Sequence, residues 1–191
     1  MWIRFLVSAS LVLALTLPAA AQSTSLPPIP PIPQPTALQI FRSVQRQVLT
    51  YPQFTVFDSV HAQIVDGTLT LTGKVTMPYK RKDLEERVSK IRGISKVDNR
   101  IEVLPASKFD DDLRTGIANA IYGNSAFANY ANQVNPPIHI VVERGRVTLE
   151  GVVANQVDRA VAYSIASSFG AFSVKNALRT EDEVKKELEQ L

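Results

Sequence analysis

The sequence has no cysteine and only two histidines in 191 residues. Without cysteine there is no disulfide, no thiolate metal site and no lipid-modified cysteine anchor, so stability must come from packed apolar cores. A single histidine in each half, with no clustered carboxylates beside it, does not make a metal site. Charge of one sign is also scarce: 21 basic and 18 acidic residues leave a formal +3. No nucleophile–base arrangement, phosphate loop or pair of acids in a catalytic frame can be found, so the chain reads as a non-enzyme without cofactor. The one long apolar run, Phe5 to Leu17, is short for a membrane span. It follows Arg4 and precedes Pro18 and the small residues Ala19, Ala20 and Ala21. That is the layout of a secretory signal peptide over 1–21. Export and a mature charge near neutrality speak against nucleic acid as a partner.

What is abundant is repetition. Val60-His61-Ala62 through Gly67 to Gly73-Lys74-Val75 recurs as Ile138-His139-Ile140 through Gly145 to Gly151-Val152-Val153, 78 positions later and without a gap. Each copy reads as strand, glycine turn and strand. Leu69, Leu71 and Val75 alternate with Thr68, Thr70 and Thr72, the pattern of a strand with one buried face. By the same parity both histidines fall on the open face.

Helical stripes flank the hairpins. Ile40, Val44 and Val48, widened by Phe41 and Leu49, precede the first, and Leu113, Ile117, Ala120 and Ile121 precede the second. Leu84, Val88 and Ile91 follow the first hairpin, Gly93 stops that helix, and Ile94, Val97, Ile101 and Val103 lead into a third strand. Val161, Ile165 and Phe169, then Gly170, then Phe172, Val174 and Leu178 repeat the scheme. A last strand that returns through a helix should run parallel to the second. The expected fold is α+β: two tandem αββαβ units, each a three-stranded mixed sheet covered on one face by two helices. The expected organisation is signal peptide 1–21, proline-rich linker 22–36, first domain 37–105, second domain 109–180 and a charged C-terminal helix 181–191. Six prolines between 27 and 35 favour an extended tether.

The αββαβ order, the hairpin built on Gly-x-Val/Leu-x-Leu-x-Gly-x-Val, and the closing Val97-Asp98-Asn99 and Val174-Lys175-Asn176 resemble the BON domain of bacterial envelope proteins. The match is to tandem members such as the osmotically inducible periplasmic proteins, and it covers most of the mature chain. The resemblance implies a non-catalytic periplasmic module, with a role in envelope maintenance or osmotic stress, that associates with a phospholipid membrane surface or with envelope proteins as an adaptor or chaperone. It also offers a cation held by backbone carbonyls, for which no residue here marks a place. Lacking the anchoring cysteine, the chain departs from the lipoprotein members of the family.

Three places stand out as contact sites. Lys80, Arg81 and Lys82 open a helix whose macrodipole they oppose, which suits anionic headgroups; interleaved Asp83, Glu85 and Glu86 equally suit a solvated face. The helices of the second copy are small and uncharged from Ala160 to Val174, so Ile117 and Tyr163 belong to faces that something should cover, either the first copy or a membrane. The connection from Gly123 to Pro137 is five residues longer than its counterpart and carries Phe127 and Tyr130, which suit a membrane interface or a plain solvent loop.

Overall fold

The computed structural model describes residues 34–189; the expected signal peptide, the expected linker as far as Pro33, and Gln190 and Leu191 lie outside them. The first helix starts because Thr36 and Gln39 form a capping box, each side chain accepting the other's backbone N–H. This α1 (Ala37–Leu49) buries Ile40, Val44 and Val48 at helical spacing. β1 (Ser59–Val65) and β2 (Thr68–Val75) form an antiparallel hairpin. Its two-residue turn, Asp66-Gly67, has both residues at positive φ (47° and 73°), the type I′ geometry whose twist matches the flanking strands. α2 (Pro78–Val88) begins with proline at its first position and buries Leu84 and Val88.

The third strand returns parallel to β2, as expected, but in two pieces, β3 (Lys96–Asn99) and β4 (Glu102–Val103). The break lets Ile101 enter the core. Helices and sheet together enclose Leu69, Leu71, Val75, Leu84 and Val88.

The second copy repeats the order with α3 (Lys108–Tyr122), a short α4 (Ala128–Ala131), the hairpin β5 (Ile138–Glu143) and β6 (Arg146–Val153), α5 (Gln156–Ser167) and β7 (Ser173–Thr180). Here the third strand is continuous and parallel to β6 over its whole length. α6 (Glu181–Leu188) follows, opened by a capping box between Thr180 and Glu183. The molecule is therefore α+β, two αββαβ units in tandem, each with a mixed sheet. Both copies fall in one unit that begins at Gln34.

The closing Val-x-Asn motif has a structural cause. Asn99 donates to the carbonyl of Arg81 on α2 (2.9 Å) and accepts the N–H of Ile101. Asn176 donates to the carbonyl of Arg159 on α5 (2.9 Å) and accepts the N–H of Leu178. Each asparagine thus ties the crossover helix to the last strand. Among the described residues no helix is long and apolar enough to cross a membrane.

Candidate functional site

Two features have the chemistry of a contact site: the seam between the copies and the tip of the second hairpin. The seam starts from Asp58, wholly buried just ahead of β1. One of its oxygens accepts the N–H and hydroxyl of Thr76 (2.8 and 2.9 Å); the other accepts the N–H and hydroxyl of Thr55 (both 2.8 Å) and the Lys80 ammonium (2.7 Å). These bonds stiffen the segment from Tyr51 to Asp58, which lies against the second copy. The Val56 carbonyl accepts the N–H of Ile140 at 2.7 Å, the Phe54 ring lies 5.4 Å from that of His139, and Phe57 packs against the second core. An otherwise open strand edge is thereby covered.

Ionisable side chains complete the seam. Ser59 donates to Glu150, and the same carboxylate oxygen lies 2.9 Å from Nε2 of His61. Lys74 pairs with Glu143 across the seam and with Glu102 of its own copy at 3.3 Å. The hydrogen bond with Glu150 raises the His61 pKa above 6.5, and the same bond holds Glu150 below the usual carboxylate range. Burial lowers the His139 pKa, and its Nδ1 is enclosed without a hydrogen-bond partner. Both histidines were expected on open sheet faces. His61 is exposed, whereas Phe54 covers His139.

Serine, histidine and glutamate meet here, but not in the wiring of a hydrolase. There the histidine stands between serine and acid, taking the hydroxyl proton. Here hydroxyl and imidazole share one carboxylate oxygen, and the arrangement is a clasp. Beside it runs a cleft of about 600 Å³, walled by Phe41, Val48 and Phe54 from the first copy and by Pro136, Pro137 and Val152 from the second.

The second feature is the β5–β6 turn. Asp110, buried at the start of α3, accepts the N–H groups of Arg144 (2.8 Å) and Gly145 (2.7 Å). Phe172 donates its N–H to the Gly145 carbonyl (2.8 Å), and its ring packs so close to Gly145 that a Cβ there would lie 2.6 Å from it. Phe109 lies 6.0 Å from Phe172. Phe109 and Phe172 stay 50% and 78% exposed; Arg144 of the turn is exposed as well, as is Lys108, which pairs with Asp112 at 3.1 Å. In the first copy Ser95 holds the place of Phe172, donating its N–H to the Gly67 carbonyl (2.8 Å), and Asp66 holds that of Arg144.

The residues singled out from sequence scatter. Lys80 is only 3% exposed and is spent on Asp58, so it meets no headgroup. Ile117 and Phe127 are core residues. Tyr130 is buried too, donating to Asp158 and accepting the N–H of Ala154 at 2.8 Å. In the long connection a helical turn (Ser125–Phe127) and α4 turn Phe127 and Tyr130 inward, while Asn132, Gln133 and Val134 stay exposed. α3 and α5 bury their apolar sides in their own copy, with Gly116 close against Phe169. Arg81, Lys82 and Tyr163 are exposed on α2 and α5. Asp58, Glu150 and Phe109 escaped the sequence reading, and Phe172 entered it only as part of the approach to the third strand. The one signal that could have marked the tip was phenylalanine at 172 where the register of the repeat puts serine at 95.

Residues 38–105 and 110–182 each match the BON domain. Among solved structures the chain is similar to the C-terminal domain of CdsD, a structural protein of the type III secretion system of Chlamydia trachomatis. Identity is 15%, with 82% of this chain and 71% of that one covered and a TM-score of 0.31. A second CdsD structure matches at 15% identity over 78% of this chain and 97% of its own, with a TM-score of 0.28. Similarity at that level bears on neither fold nor function. No curated protein matches the chain.

Proposed function

The chain belongs to the BON domain family, and from that premise we propose that it is an exported, non-catalytic envelope module. It seats the tip of its second copy in an anionic phospholipid surface. The observation that carries this reading is the exposed Phe109–Phe172 pair beside a turn that carries the exposed Arg144. Large exposed aromatics are costly in water and favoured at the headgroup level. Each basic residue at such a surface adds about 1 kcal/mol. Arg81 and Lys82 supply a second, purely electrostatic contact, and Tyr163 a further aromatic one.

Residues 1–21, read as a signal peptide, support a periplasmic location, where the module would serve envelope maintenance or the response to osmotic stress. The test is co-sedimentation of the mature chain with vesicles of anionic or zwitterionic lipid. Binding to the anionic vesicles, weakened by salt and lowered about tenfold or more by Phe172→Ser, is the expected result. Equal binding of wild type and Phe172→Ser, or no binding at low salt, would overturn it. The alternative, an adaptor or chaperone-like module for envelope proteins, draws on a separate feature, the unpaired edge of β1.

A further inference from the structure

The two hairpins share one pairing register, residue for residue, so their outer edges can be compared directly. β1 and β5 each pair with one neighbour only, β2 and β6. With a two-residue turn, the pair nearest the turn and every second pair beyond it exchange the ladder hydrogen bonds. The backbone groups of Val60, Ala62 and Ile64 in β1, and of Ile138, Ile140 and Val142 in β5, therefore point away from the hairpin. On β5 this edge is in use: the N–H of Ile140 donates to the Val56 carbonyl. Ala62 occupies the matching position of β1, 78 residues earlier, and its N–H has no backbone partner among the described residues.

The uncovered edge faces the cleft. Four consecutive residues, Ser59 to Ala62, line it, and successive side chains of a strand point to opposite faces. Only a strand seen edge-on presents both. On the side of α1 the wall is mostly apolar, from Phe41, Val44, Val48 and Leu49 with Gln45 among them, and the opposite side holds Pro136 and Pro137, which offer no backbone donors. Charged side chains also line the cleft, each already paired: His61 with Glu150 and the exposed Arg179 with Glu187.

We infer that this cleft takes an extended polypeptide segment, which adds as a further strand to the free edge of β1. Its occupant resembles what covers β5, a stretch of extended backbone. Its inward residues are apolar, to meet Phe41 and Val48, and an acidic residue on the other face takes the place of Glu187 beside Arg179. Backbone bonds would supply the affinity and the alternating side chains the selectivity. The site is separate from the aromatic tip, so it stands or falls independently of lipid binding.

Amide hydrogen exchange and NMR of the mature chain, with and without peptide, provide the test. The probe is a peptide of about six residues, an ordinary strand length, alternating valine with threonine and ending in glutamate. The amides of Val60, Ala62 and Ile64 should exchange quickly in the free protein and become protected on binding, while Ile140 is protected throughout. N-methylation of the peptide amides that face β1 should weaken binding about tenfold or more, because a methylated amide cannot donate. Phe41→Asp should weaken it too, and Phe172→Ser should leave it unchanged. The inference is overturned if the methylated peptide binds equally well, or if the β1 amides stay unprotected. It is equally overturned if a single-chain lipid below its micellar concentration, and not the peptide, shifts their resonances.

Discussion

The two copies share their strands almost position for position, yet equivalent residues do different work. Asn99 and Asn176 share two bonds, one to the crossover helix and one to the residue two positions on, and illustrate what duplication preserves: contacts inside a copy. His61 and His139 illustrate what it does not. Glu150 stands 2.9 Å from the first and raises its pKa, while the second is enclosed beside Phe54 and its pKa falls. The cause lies in the neighbours from the other copy, not in the histidines. Ala62 and Ile140 differ in the same way, one at a free edge and the other donating to Val56. The tips differ through their own residues: Asp66 and Ser95 in one, Arg144 and Phe172 in the other. Joining two like units created asymmetry wherever the units meet, and divergence created it at the far tip.

The comparison can be broken hardest at Asp58. Asp58→Ala strands the Lys80 ammonium in the interior and frees Thr55 and Thr76, so it should cost about 3–5 kcal/mol in chemical denaturation. Pro136→Ala, at the matching place in the second copy, should cost about 1 kcal/mol or less. Similar losses for both would mean that the Asp58 anchor is not specific to the first copy.

Asn99→Ala and Asn176→Ala should each cost about 1–2 kcal/mol, because each removes the same two hydrogen bonds, and the further bond of Asn99 to the exposed Glu85 side chain adds little. A clear difference between them would deny that the motif has one role.

The tip can be transplanted. Ser95→Phe combined with Asp66→Arg should give the first copy an aromatic, basic turn and raise partitioning onto anionic vesicles a few-fold, read by co-sedimentation. Unchanged partitioning would remove the tip as the cause of lipid association.

The smallest effect is a titration. In NMR the His61 imidazole should have its midpoint above 6.5 and that of His139 below it. Glu150→Gln should lower both, His61 by more, since it loses a hydrogen bond as well as a charge. The stability contribution of His61 is fully present below its unfolded pKa and is lost as pH rises through the raised folded value. That of His139 is present above its unfolded pKa and is lost as pH falls toward the depressed folded value, because the unfolded chain then binds the proton more readily. Histidines that titrate together would show that the seam does not hold in solution.

How far the sequence could be read depended on the range of the interaction. The hairpins, the positive-φ turns, the helical stripes and the parallel return of the third strand were all legible, since each follows from periodicity or from a glycine at a fixed place. The contact residues were less so. Lys80 looked like part of a basic surface because Arg81 and Lys82 adjoin it, but its partner, Asp58, lies 22 positions away. Phe127 and Tyr130 looked like an exposed loop because nothing local says that α4 folds back onto the core. Phe109 and Phe172 meet only because α3 and the connection before β7 converge on Gly145.

By itself, then, the sequence determined a duplicated αββαβ chain, the turn chemistry of its hairpins and the faces its strands bury, because these rest on contacts along or between neighbouring segments. Tertiary structure alone decided which charges are spent inside, which histidine has its pKa lowered and which strand edge has no partner among the described residues. Each of those outcomes depends on desolvation and on partners brought together from distant positions, and neither is written in local spacing.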